Sequence, residues 1–141
     1  MQIRPITDTY AVSPQIDPTD IPAIKAAGFD TVICNRPDAE VPMELQSAVM
    51  RIAVEAAGLK FVDNQVSHQT LNMGMVATQY AAMDAAGGPV LAYCASGNRS
   101  SIVWALGQAG KMPTGEIIAS TARAGYDHSA LAPQLEALAR A

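Results

Sequence analysis

The stretch Pro89-Val90-Leu91-Ala92-Tyr93 carries no charge. It passes directly into Cys94-Ala95-Ser96-Gly97-Asn98-Arg99 and then into Ser100-Ser101-Ile102-Val103-Trp104-Ala105-Leu106. A short continuous apolar run bounded by turn residues is the pattern of a strand covered on both faces. The segment beyond the loop reads as the start of a helix. A buried strand that feeds a helix through a tight loop restricts the chain to architectures in which a sheet lies between layers of helix.

The rest of the chain repeats this alternation. Residues 3–6 and 9–12 are expected as short strands around a turn. Asp17-Pro18-Thr19-Asp20 starts a helix with an early proline and a capping side chain. That helix carries Ile21, Ile24 and Ala27 and stops at Gly28. Residues 29–34 form a strand, and Pro37 keeps Asn35-Arg36-Pro37-Asp38 as loop. Residues 42–57 read as a second helix with Leu45, Val49, Ile52 and Ala56 on one face. A strand opens at Leu59, a polar loop follows at residues 67–70, and a long helix spans residues 71–86. Residues 114–124 and 130–140 are two further helices joined at Gly125-Tyr126-Asp127. The expectation is one α/β domain over residues 1–141, with a mostly parallel four- to five-stranded sheet flanked by helices. In such sheets the site lies beyond the carboxyl ends of the strands. The loops at residues 34–38, 67–70 and 94–99 all leave those ends and share one rim.

Composition narrows the function. The chain has 141 residues, half of them hydrophobic, which suits one core. Net charge is −4 with no basic run, which argues against nucleic acid and anionic membrane surfaces as partners. No stretch is long or apolar enough for a signal peptide or a membrane span, and two cysteines do not make a disulfide framework. These features predict a soluble cytoplasmic protein; oligomeric state is not legible. No cofactor is expected. His68 and His128 with the two cysteines have metal-binding chemistry, but no pair has ligand spacing.

The loop carries the chemistry. Backbone N–H groups of Ala95, Ser96, Gly97 and Asn98 converge on one point, and the following helix N-terminus adds positive potential there. Such a field favours the thiolate of Cys94, a nucleophile for phosphate, sulfane sulfur or arsenate. Gly97 permits the tight backbone and Arg99 fixes the anion. Ser100 and Ser101 are placed to cap the helix, and Ser100 also to hydrogen-bond the thiolate. At the rim, Asp38 either approaches the site or caps its turn, and Arg36 either widens the positive field or forms a surface ion pair. Cys34 reads as a buried core residue or as a thiol that resolves oxidised Cys94. Met73, Met75 and Met83 are read as packing, and Trp104 as the anchor of its helix.

Two motifs together, Ile33-Cys34-Asn35-Arg36-Pro37-Asp38-Ala39-Glu40 and Leu91-Ala92-Tyr93-Cys94-Ala95-Ser96-Gly97-Asn98-Arg99-Ser100-Ser101, resemble the β-lactamase-hydrolase-like phosphatase-like family. The likeness runs from Tyr10 to about Gly125. It implies a cysteine-phosphatase fold of the dual-specificity type with the reactive cysteine after a central strand. Its members are described both as phosphatases and as sulfur transferases. Four residues separate Cys94 from Arg99, one fewer than in tyrosine and dual-specificity phosphatases, and Tyr93 stands where histidine is usual. The shorter loop is that of rhodaneses. Residues 61–68 resemble the segment that carries the phosphatase general acid. There Asp63 falls early, within the strand, and His68 lies near the acid's place. Sulfur transfer needs no such acid. The expected function is therefore rhodanese-like sulfur transfer through a Cys94 persulfide, from a small anionic sulfur donor to an acceptor thiol. The alternative is a phosphatase that turns over a phosphoester through a Cys94 phosphocysteine, and a third reading is a non-catalytic anion-binding domain.

Overall fold

The computed structural model describes residues 1–141. Five strands form one sheet: β1 (Arg4–Pro5), β2 (Tyr10–Ser13), β3 (Thr31–Cys34), β4 (Lys60–Asp63) and β5 (Val90–Tyr93), in the order β1-β2-β5-β3-β4. β5 is central and pairs in parallel with β2 and β3, and β4 pairs in parallel with β3. Only β1 is antiparallel, on the β2 edge. Pro5, which has no N–H to donate, suits that edge and holds β1 to two residues where four were expected.

Six helices cover the sheet: α1 (Ile21–Ala26), α2 (Ser47–Ala56), α3 (Met73–Ala85), α4 (Asn98–Gln108), α5 (Thr114–Arg123) and α6 (Ala132–Arg140). The alternation of side chains along β5 defines two cores. Leu91 and Tyr93 pack with Ile21, Ile24, Met50 and Val54 of α1 and α2. Val90 and Ala92 pack with Val76, Val103, Trp104, Ile117 and Leu135 of α3 to α6. Trp104 is 3% exposed, and its ring stacks on Tyr10 with centroids 6.2 Å apart, so it anchors α4 as expected. Met75 and Met83 pack against this core, but Met73 is 47% exposed and is not a packing residue.

Several helix starts differ from the sequence expectation, each for a local reason. α2 begins at Ser47, not Pro42, because the Asp38 carboxylate accepts the Ser47 backbone N–H at 2.7 Å and Gln46 is extended. Residues 43–45 form a separate 3-10 turn. α3 begins at Met73, where the Asn72 side chain accepts the Met75 N–H. α6 begins at Ala132, after a 3-10 turn over Ser129–Leu131. α4 begins earlier than expected, at Asn98 inside the loop, because Gly97 turns the chain with a φ of 92°. No helix is long and apolar enough to cross a membrane.

Candidate active site

Cys94 continues β5 by one residue, and its N–H donates to the Ser13 carbonyl at 3.3 Å. The chain then closes on itself, so that the Gly97 N–H reaches the Cys94 sulfur at 3.1 Å. Gly97 is the N-cap of α4 and supplies no side-chain cap, and the expected capping by Ser100 or Ser101 does not occur. Instead, Ser101 Oγ donates to the Asn98 carbonyl at 2.6 Å, and Ser100 Oγ is buried without a partner, bonded neither to the helix end nor to Cys94. The amides of Ala95, Ser96, Arg99 and Ser100 donate to no protein atom, whereas Asn98 N donates to Ser96 Oγ. Four free amides around the start of a helix, with a fifth already on the sulfur, form an anion bowl above a cysteine.

Arg99 closes the bowl. Its guanidinium has five N–H donors. Three are used: Nη1 and Nη2 grip the Glu40 carboxylate at 2.8 and 2.7 Å, and Nη1 also donates to the Val66 carbonyl at 2.9 Å. The remaining pair, Nε–H and one Nη2–H, forms a single open fork of the shape that takes two oxygens of an oxyanion. The Glu40 carboxylate raises the Arg99 pKa and Arg99 in turn holds the Glu40 carboxyl below the usual range, so both stay charged. The Arg99 side chain is only 8% exposed, and Glu40 fixes it without covering the open fork.

The rim residues separate into two groups. Arg36 donates to Glu40 at 3.3 Å and to Gln15 at 3.4 Å; it is the partner of an ion pair that braces Arg99 from behind. Asp38 is spent on α2, where its two oxygens take the N–H and hydroxyl of Ser47. Asp63 stands opposite Cys34 in the β3–β4 register, and Gln65 donates to both of its oxygens. His68 is exposed on the turn before α3, whose hydrogen bonds are made by Ser67 and Thr70.

Cys34 is a core residue. It stands opposite Tyr93 in the sheet register and belongs to the α1–α2 core with it. Cys94, one residue after Tyr93, faces the other side of the sheet. Side chains that leave a sheet in opposite directions are not bridged without backbone movement, which favours the core reading of Cys34 over the resolving one. Burial pushes the Cys34 thiol up to about 11, and Asp63 and Asp38 add to the rise.

Three contributors lie outside the residues that the sequence assigns to the site, and of these His128 is read there only for its metal-binding chemistry. Glu40 ends the first motif, and its spacing of four from Arg36 was the available signal. Tyr126 and His128 lie between α5 and α6 and carry no local signal. The Tyr126 hydroxyl donates to the Ser96 carbonyl at 2.8 Å. His128 lies 2.7 Å from Ser101 Oγ through Nε2. Because the Ser101 hydroxyl proton goes to Asn98, His128 Nε2 carries the proton between them. No group of three or more His, Cys, Asp or Glu side chains is arranged to hold a metal ion.

A parallel sheet with a cysteine at the end of its central strand, an amide bowl and an arginine in the first turn of the next helix defines a cysteine-phosphatase-like domain. The chain belongs to the family of the beta-lactamase hydrolase-like protein, phosphatase-like domain, whose model matches residues 2–111. That match begins before Tyr10 and ends before Gly125, the limits expected from the motifs. The chain is 34% identical over 101 residues to the Beta-lactamase hydrolase-like protein of Agrobacterium fabrum; this is 72% of the chain and 23% of that relative, so the chain spans about a quarter of its length. It is 31% identical to a candidate phosphatase of Neisseria meningitidis Z2491, with a TM-score of 0.83 and coverage of 98% and 99% of the two chains. A second candidate phosphatase, from Shewanella putrefaciens CN-32, is 24% identical with a TM-score of 0.69 over 97% and 85% of the two chains, and shows the same fold.

Proposed function

We propose that this domain is a cysteine-dependent phosphatase whose nucleophile is Cys94. The observation that carries the reading is the Gly97 N–H directed at the Cys94 sulfur within a ring of free amides, beside the open fork of Arg99. A phosphoryl group fits that bowl with its oxygens on the amides and the Arg99 fork. The thiolate attacks phosphorus, the S–P bond forms, and the P–O bond to the leaving group breaks. Water then attacks the phosphocysteine, releasing inorganic phosphate and the thiolate. The amides and Arg99 stabilise charge that grows on the equatorial oxygens. The family and the Neisseria relative support this reading over the sulfur transfer expected from loop length.

Neither rim carboxylate is free to protonate a leaving group: Asp38 caps α2, and Asp63, early in its segment, stands with Cys34 and Tyr93 on the far face. His68, near the acid's expected place, is exposed on its turn and no side-chain hydrogen bond orients it. General acid catalysis is worth about 10²–10⁴ in rate. The substrates favoured are therefore esters whose leaving groups depart unprotonated, aryl phosphates before alkyl phosphates.

The same feature, together with the four-residue spacing of Cys94 and Arg99, favours a second reading. In sulfur transfer the Cys94 thiolate attacks the outer sulfur of thiosulfate, an S–S bond forms, and sulfite leaves without a proton. An acceptor thiolate then attacks that outer sulfur and releases Cys94. One preparation tests both. Aryl-phosphate hydrolysis lost in Cys94→Ser supports the phosphatase. A stable mass gain of one sulfur, about 32 Da, on the Cys94 thiolate after thiosulfate treatment, without phosphate release, replaces it with the second reading.

A further inference from the structure

The Ser96–Gly97 peptide is the part of the loop that touches the nucleophile, and its orientation decides what Cys94 meets. A trans peptide is planar, so its carbonyl and its N–H point in opposite directions. With the carbonyl outward, the Gly97 N–H faces the sulfur at 3.1 Å, as observed. Turned over, the same unit would direct a carbonyl oxygen at a thiolate and at any bound anion. Glycine at Gly97, with φ of 92°, leaves both orientations sterically open.

One side chain selects between them. The Tyr126 hydroxyl donates to the Ser96 carbonyl at 2.8 Å from outside the bowl. The phenol also fills the space beneath the turn: a Cβ on Gly97 would lie 2.2 Å from its oxygen. Tyr126 is 7% exposed and is itself fixed from three sides. Its N–H donates to Thr121 at the end of α5 at 2.9 Å, the Arg4 guanidinium lies 5.4 Å from its ring centroid, and the His128 ring stacks on it in parallel. Arg4 in turn donates to the Ala124 carbonyl at 3.3 Å.

We infer that Tyr126 is a positioning residue for Cys94: its hydroxyl holds the Ser96–Gly97 peptide with the N–H toward the sulfur. Tyr126 lies beyond residues 2–111, the part of the chain that matches the family model. The anion bowl of this protein therefore depends on the α5–α6 segment. The inference rests on the reading of Cys94 as the nucleophile.

The test compares Tyr126→Phe with Arg4→Leu. The first removes only the hydroxyl; the second removes the cation over the ring and keeps the hydroxyl. Iodoacetamide labelling of Cys94, followed by intact mass across pH, reads the loop without turnover, and p-nitrophenyl phosphate hydrolysis reads it with turnover. Tyr126→Phe should move the labelling midpoint upward by about half to one pH unit and lower kcat/KM about five- to ten-fold, the effect of one lost hydrogen bond. Arg4→Leu should lower Tm and move the labelling midpoint by less than Tyr126→Phe does, because the hydroxyl and its bond to Ser96 remain. An unmoved midpoint in Tyr126→Phe, or an equal shift in Arg4→Leu, overturns the inference. A shifted midpoint in a protein without phosphatase activity supports the positioning role and refutes the phosphatase reading.

Discussion

Replacing Glu40 with glutamine removes one charge and changes almost no volume. Glu40 accepts two short charge-assisted hydrogen bonds from Arg99 and a longer one from Arg36. The glutamine amide can accept with one oxygen only, and its NH₂ faces an arginine N–H. Hydrogen bonds to charged groups are worth about 1.5–3 kcal/mol. Glu40 is 34% exposed, so solvent screens part of that attraction, and about 1–2 kcal/mol remains to hold the guanidinium in place. If Arg99 must sit in that place to receive an oxyanion, Glu40→Gln lowers kcat/KM on aryl phosphates about five- to thirty-fold. The loss appears as weaker competition by orthovanadate or phosphate as well as slower turnover. The folded-state pKa of Glu40 is depressed by Arg99. Its contribution to stability is thus complete above the ordinary glutamate range and is lost as pH falls through the depressed value. Thermal melts of wild type and Glu40→Gln should therefore differ at neutral pH and converge in acid. Wild-type kcat/KM and anion affinity in Glu40→Gln would refute the assignment, and a lowered Tm alone would make Glu40 a stability residue.

Gly97→Ala should cost about 1–3 kcal/mol of stability from the positive φ and should abolish measurable turnover, because its methyl group meets the Tyr126 oxygen; thermal melts and phosphate release check both. Cys34→Ala should keep both phosphate release and neutral-pH alkylation of the domain, since a thiol pushed up to about 11 is protonated there; loss of the alkylated species in this variant would transfer the reactive role to Cys34. Burial lowers the His128 pKa, so the folded state favours the neutral ring, and stability present above the ordinary histidine range declines as pH falls toward the lowered value. His128→Gln should flatten that decline in Tm, and an unchanged slope would show that another group causes it.

The centre of the sheet was legible because β2, β3 and β5 are mostly apolar runs and glycines follow the helices before β3 and β5. Gly28 and Gly58 both adopt positive φ where the helices were expected to stop. The loop after β5 was legible because Cys94, Gly97 and Arg99 fall within six consecutive residues. Helix starts were less so, since each depends on a side chain that reaches back from elsewhere. Asp38 caps a helix nine residues away, and the periodicity of residues 42–57 contains no trace of that bond. The support of the site was hidden for the same reason at larger separation. Arg99 meets Glu40 across 59 positions, and Ser96 meets Tyr126 across 30. Asp63 falls within the strand as expected, but the face it takes was not legible, because strand register, which sends Asp63 to the Cys34 face, is set by pairing with β3 and not by local sequence.

The pleat of the sheet also has a redox consequence. Cys34 and Cys94 are the only thiols of this chain, and one strand pairing assigns them to opposite sides of the same wall. Electrons for an oxidised Cys94 cannot come from Cys34 unless β3 or β5 leaves the sheet. If peroxide oxidises Cys94 to a sulfenate, the expected reductant is one that arrives from solution. The recovery rate of this domain after peroxide should scale with added low-molecular-weight thiol and be the same in Cys34→Ala.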